Sequence, residues 1–117
     1  MTIKECYEKM GGDYDDVVNR LRTDERIKRF LLKVADDKSF DELCSALAAH
    51  DVDTAFRAAH TLKGVCSNLS ITRLFNSASA LTEELRGKTE YSADFEPLLE
   101  KVRADYEVTV ACIRAVD

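Results

Sequence analysis

DVDTAFRAAHTLKGVCSNL, residues 51–69, is the stretch whose side-chain spacing decides the fold. At about 100° per residue, Ala55, Ala58, Ala59, Leu62, Val65, Cys66 and Leu69 fall within an arc of roughly 120°, the pattern of an α-helix with one buried face. Asp51 or Asp53 can cap its start, because a carboxylate there accepts hydrogen bonds from the free N–H groups of the first turn. On the same wheel His60 lies roughly 160° from Leu62, at the centre of the opposite face, with Arg57 and Lys63 each about 60° to either side. The pattern predicts a core helix that presents an exposed imidazole between two cations.

Working outward from it, Ser39 with Glu42 three residues on reads as a capping box. It opens a helix whose stripe is Phe40, Leu43, Cys44 and Leu47 and which ends near His50, where a helix C-terminus favours an imidazolium. Asp36-Asp37-Lys38 is the turn before it. Thr23, followed by Asp24 and Glu25, starts a helix with Ile27, Phe30, Leu31 and Val34 facing inward. Asp13 caps a short helix through Leu21, and another short helix from Thr2 to Met10 carries Ile3, Tyr7 and Met10 before Gly11-Gly12 stops it. On the C-terminal side, Ser70 is read as the cap of a helix through Arg86 that stops at Gly87. The last helix starts near Asp94, accommodates Pro97 in its first turn, and turns Phe95, Leu98, Leu99, Val102, Tyr106, Val110 and Ile113 inward. No stretch alternates as a strand would. The expected fold is all-α: an antiparallel up-down four-helix bundle with additional short N-terminal helices packed over it, one domain across residues 1–117.

Composition narrows the function. A chain of 117 residues with 45% hydrophobic content fills one core, and one Pro, four Gly and no Trp suit helices. The formal charge of −5 disfavours nucleic acid as a partner. No apolar run is long enough for a bilayer and no signal peptide is visible, so a cytoplasmic protein without membrane attachment is expected. Cys6, Cys44, Cys66 and Cys112 are scattered, without a C-x-x-C pair, and read as small buried hydrophobes. His50 and His60 are ten residues apart, which matches neither the i, i+3 nor the i, i+4 spacing of a shared metal site. No metal centre and no bound cofactor are expected.

What remains is the outer face of residues 51–69. A neutral imidazole is a competent nucleophile near neutral pH. A phosphoryl group placed on it would carry roughly two negative charges, and Arg57 and Lys63 would flank that charge. Gly64 sits one turn after His60, in a helix interior where glycine costs about 1 kcal/mol relative to alanine. The other glycines mark helix breaks; Gly64 alone lacks a local reason, and a missing side chain there lets another protein's surface reach the imidazole. Phe56 and Ser67 fall near the same face and extend it as a docking patch, with burial of Phe56 against a neighbouring helix as its alternative.

Ala59-His60-Thr61-Leu62-Lys63-Gly64, followed by Ser67-Asn68-Leu69, resembles the signature helix of histidine-containing phosphotransfer (HPt) domains, and the likeness in pattern extends over roughly residues 30–116. The resemblance implies that His60 is the phosphoacceptor, exchanging a phosphoryl group with receiver-domain aspartates of response regulators or a hybrid sensor kinase. It implies that Lys63 steadies the phosphoryl charge and that Gly64 gives access. The magnesium ion and acidic pocket would belong to the receiver, so the chain would be a phosphocarrier, expected to be a monomer, and not a kinase or phosphatase. Ser70 departs from the glycine that many members carry after the Asn-Leu pair. A helical adaptor that docks receivers or other proteins without taking phosphate is the alternative function.

Overall fold

Apolar residues at helical spacing and a polar residue ahead of each run divide the chain into seven helices in the computed structural model, which describes residues 1–117. These are α1 (Ile3–Met10), α2 (Tyr14–Leu21), α3 (Asp24–Ala35), α4 (Ser39–Ala48), α5 (Val52–Asn68), α6 (Thr72–Leu85) and α7 (Phe95–Arg114). Three of the expected caps form: Asp13 accepts from the Asp16 N–H at 3.0 Å, Thr23 from Arg26 at 3.2 Å, and Asp51, rather than Asp53, from Thr54 at 3.1 Å. Thr2 and Glu5 add a capping box at α1 that the sequence reading overlooked.

Helices α4 to α7 form the antiparallel bundle. Three-residue connections join α4 to α5 and α5 to α6, so each pair packs as a hairpin, while α7 lies along α6 and returns to α4 through Phe40 stacked on Tyr106 at 4.3 Å. Helices α1 and α3 cover α7. A single hydrophobic cluster runs from Ile3 to Ile113, with Ala55, Ala59, Leu62 and Cys66 of α5 at its centre. Small side chains along α5 let both neighbours approach closely. The four cysteines are free thiols; burial pushes Cys66 up to about 12 and Cys6 up to about 11, so both stay protonated as small core residues.

The N-terminal helices are part of that core. Ile3, Cys6, Tyr7, Met10 and Val17 are all buried, and the loop after α1 is bonded to the loop after α5. Asp13 N–H donates to the Ser70 carbonyl at 2.9 Å and Arg73 N–H to the Gly11 carbonyl at 3.0 Å. Gly12 has no space for a side chain: a Cβ would lie 2.6 Å from the Tyr7 ring and 2.9 Å from the Ser70 carbonyl oxygen. The Tyr7 hydroxyl donates to the Leu69 carbonyl at 2.7 Å. Arg20 of α2 donates to the Ser67 and Asn68 carbonyls at the end of α5 and to the Ser70 hydroxyl, which in turn donates to Asp16 at 2.5 Å.

Four expectations are corrected. Ser70 does not cap α6, which has no side-chain cap; Ser70 adopts φ 55° and ends α5 as its left-handed residue. That conformation explains why glycine suits the position, and here the hydroxyl's bonds to Arg20 and Asp16 compensate for the strained backbone. Ser39 forms no capping box with Glu42, because it already lies inside the first turn of α4, where the Asp37 carboxylate accepts from its N–H at 2.8 Å. Phe30 does not face inward. Ile27, Leu31 and Val34 take the buried stripe, leaving Phe30 36% exposed at the edge with the Lys33 ammonium over its ring. In α7, Leu98, Tyr106 and Val110 are only half-buried while Asp105 and Thr109 are buried, the stripe having rotated toward α6.

Two outcomes follow from the tie between α1, α2 and the end of α5. Tyr7→Phe leaves the buried Leu69 carbonyl without its donor, and thermal unfolding should show a loss of about 1–3 kcal/mol. The Ser70 hydroxyl, and then Arg20, hold the Asp16 carboxyl below the usual carboxylate range. Its contribution is therefore present above the ordinary value of about 3.9 and lost as pH falls through its own lower value. The difference in melting temperature between wild type and Asp16→Asn should close as the pH is lowered through that window; a difference unchanged across it would refute the linkage.

Candidate functional site

Helix α5 alternates its faces as the spacing demands: Ala59 and Leu62 are buried, while His60 between them is exposed. The imidazole stands on one wall of an open recess of 370 Å³ lined by Phe56, Arg57, His60, Thr61 and Arg86. All six residues singled out on this face are on α5, with Phe56, Arg57, Lys63 and Gly64 about one turn from His60; Ser67, exposed, is the farthest away, nearer the Arg20 tie than the recess. Phe56 is half-buried, which joins its two readings: part of it packs on the core and part forms the floor beside His60, ring centroids 6.0 Å apart.

The cations are not free. Arg57 pairs with Asp53 one turn earlier at 3.0 Å, while Lys63 leans across to α6, where its ammonium lies 3.9 Å from a Glu83 oxygen and 6.0 Å from the Phe75 ring centre. Arg86 grips the same Glu83 carboxylate through two N–H groups, at 3.2 and 3.1 Å, and sets its guanidinium 5.1 Å above the Phe56 ring. The Arg86 hydrogen bonds, with a smaller contribution from Lys63, hold the Glu83 carboxyl below the usual carboxylate range. Three cations against two carboxylates leave the rim of the recess with a net positive charge.

Glu83 and Arg86 were missed from sequence. The signal was present in the hairpin itself: a three-residue connection after α5 makes α6 run back antiparallel, and side chains lean toward the N-terminus of their own helix. The last turn of α6 is thereby brought beside the 56–63 stretch of α5. A wheel drawn for one helix cannot show what its neighbour contributes.

Gly64 is exposed, and a Cβ built on it would meet nothing within 4 Å. Nothing in the chain's own packing requires glycine there. The open space beside His60 faces solvent. His50 is remote in role: it takes φ 59° at the end of α4 and stacks on Tyr91 at 3.7 Å.

The Hpt domain family model matches residues 28–111, from within α3 to within α7. The chain belongs to that family. Hpt domains serve histidine phosphotransfer in two-component systems as phosphocarriers rather than kinases or phosphatases, and they interact with receiver domains of response regulators and hybrid kinases. Comparison with curated proteins and with solved structures gives no match. No helix of the chain is long and apolar enough to cross a membrane.

Because the side-chain space at Gly64 is empty, Gly64→Ala should raise stability by about 1 kcal/mol through helix propensity alone, measured by denaturant unfolding. A lower midpoint would mean that the glycine has an internal structural role.

Proposed function

We propose that this chain relays a phosphoryl group between receiver-domain aspartates and His60. The observation that carries the reading is the exposure of His60 on a helix whose other face is locked in the core, beside side-chain space that is empty at Gly64. In the forward step an imidazole nitrogen lone pair attacks the phosphorus of the receiver's aspartyl phosphate. A P–N bond forms as the P–O bond to the carboxylate breaks, and the carboxylate leaves with the electron pair. The ring keeps the proton on its other nitrogen, so the product carries a phosphoryl dianion on an imidazolium. The reverse step returns the group to a second receiver.

In this reading Lys63 stabilises the phosphoryl charge and Gly64 gives access, with Phe56, Arg57 and Ser67 extending the docking surface. The receiver supplies the magnesium ion and the acidic pocket. Residues 1–117 act as one module, a monomer in the cytoplasm, in which the N-terminal helices hold the carrier helix in place. A receiver approaching α5 must place its aspartate within bonding distance of the imidazole, and a rigid, convex helix face suits a concave acidic pocket better than a buried site would.

Incubation with a phosphorylated receiver and magnesium should transfer label to the protein as an acid-labile species, and His60→Gln should abolish it. Gly64→Gln should leave the fold intact and slow transfer by about tenfold or more through obstruction. Receiver binding with no transfer of label would instead favour an adaptor that docks receivers without taking phosphate.

A further inference from the structure

The recess beside His60 is built by two helices, and the α6 side of it is not explained by the carrier helix. Arg86 forms one wall with His60, its guanidinium over the ring of Phe56, which itself adjoins the imidazole. It is placed there by Glu83, one turn earlier, whose carboxylate also receives Lys63. Glu83 is thus the single anion that gathers two cations at the edge of the nucleophile's recess. Both ion pairs are solvent-accessible, with Arg86 50% and Glu83 55% exposed, so neither is strong. A group carrying roughly two negative charges on His60 competes with one carboxylate for the same donors, and Arg offers the forked geometry that phosphate oxygens accept.

We propose that Arg86 is a second phosphoryl-binding residue of the His60 site, beside Lys63, and that Glu83 is the counter-ion that positions it and releases it when the phosphoryl group arrives. The inference rests on His60 being the phosphoacceptor. Before transfer, Glu83 keeps the guanidinium folded over Phe56 and the recess close to neutral on its α6 side. After transfer, the guanidinium trades one oxygen pair for another across the recess. Phe56 is the platform for that movement, since a cation over an aromatic face is held without a directional bond. Helix α6 therefore takes part in phosphoryl binding although it carries no nucleophile.

The test uses the full chain with phosphoramidate as a small donor, whose ammonia departs as the P–N bond to the imidazole forms, so that receiver docking plays no part. Phosphorus NMR then follows the titration of the phosphorylated protein at low ionic strength. A cation beside the phosphoryl-imidazole disfavours every protonated form, so Arg86→Gln should raise its apparent proton affinity about two- to fivefold, the range for an exposed ion pair. Arg86→Lys should restore part of the effect, and added salt should diminish it. Lys101→Gln, the same change of charge on α7, should leave the midpoint in place. Glu83→Gln should lower the proton affinity, and by less when Arg86 is already Gln, because the two residues act as a unit. An Arg86→Gln midpoint no different from that of Lys101→Gln would overturn the role of Arg86. Additive effects of Glu83→Gln and Arg86→Gln would overturn the counter-ion exchange, leaving phosphotransfer at His60 standing. Undiminished phosphorylation of His60→Gln would overturn both this inference and the phosphotransfer reading.

Discussion

Everything at this site depends on the burial of one face of α5. Its alanine-rich arc is clamped between α4 and α6, and small side chains there allow close approach of the neighbouring backbones. A helix held so tightly cannot rotate about its axis without moving Ala59 or Leu62 out of the core, at a cost of about 1.5–3 kcal/mol for the leucine side chain alone. Such rotation is what it would take to hide His60. Exposure of the imidazole is therefore a consequence of packing on the opposite face. A side chain displayed in this way needs no loop to position it and no conformational change to become accessible.

The end of α5 is secured by a different kind of interaction. Beyond Asn68 the helix must stop abruptly so that α6 can turn back, and Ser70 takes a left-handed backbone to do so. The carbonyls freed at that end would be costly if left unpaired. Arg20 and Tyr7 meet three of them, those of Ser67, Asn68 and Leu69, from helices outside the matched family segment. Residues ahead of the matched segment are thus structural partners of the C-terminal end of α5.

Much of this was legible in the sequence because a single helix wheel holds it. The seven helices, the buried arc of α5 and the outward direction of His60 follow from 3.6-residue periodicity and capping residues. The readings that failed concern relations between elements. Ser70 is a polar residue ahead of a helix, and only the pairing of two loops shows that it ends the preceding one instead. Phe30 satisfies the helical spacing of α3, yet three other positions exhaust the surface that α7 and α2 offer. Glu83 and Arg86 resemble an ordinary i, i+3 surface pair until the hairpin brings them beside Phe56 and Lys63. Local pattern determines which way a side chain points, whereas the hairpin register determines what it meets.

For the relay proposed above, the modest strength of the site's electrostatics is preferable to a tight trap. Arg57 is paired with Asp53, and Lys63 and Arg86 share Glu83, so on the proposed reading a phosphoryl group on His60 would gain only the difference between its own attraction and that of these carboxylates. In water-exposed surroundings such differences amount to about 1 kcal/mol or less per pair. Unpaired cations packed in a dry pocket would bind the phosphoryl group far more tightly and raise the barrier to handing it on. Phe56, half-buried, adjoins His60 in the recess, and the space at Gly64 one turn beyond His60 is open. If His60 is the carrier proposed above, receiving and releasing the same group at comparable free energy is best served by this arrangement, in which the charges that would welcome the phosphoryl group can readily return to their own counter-ions.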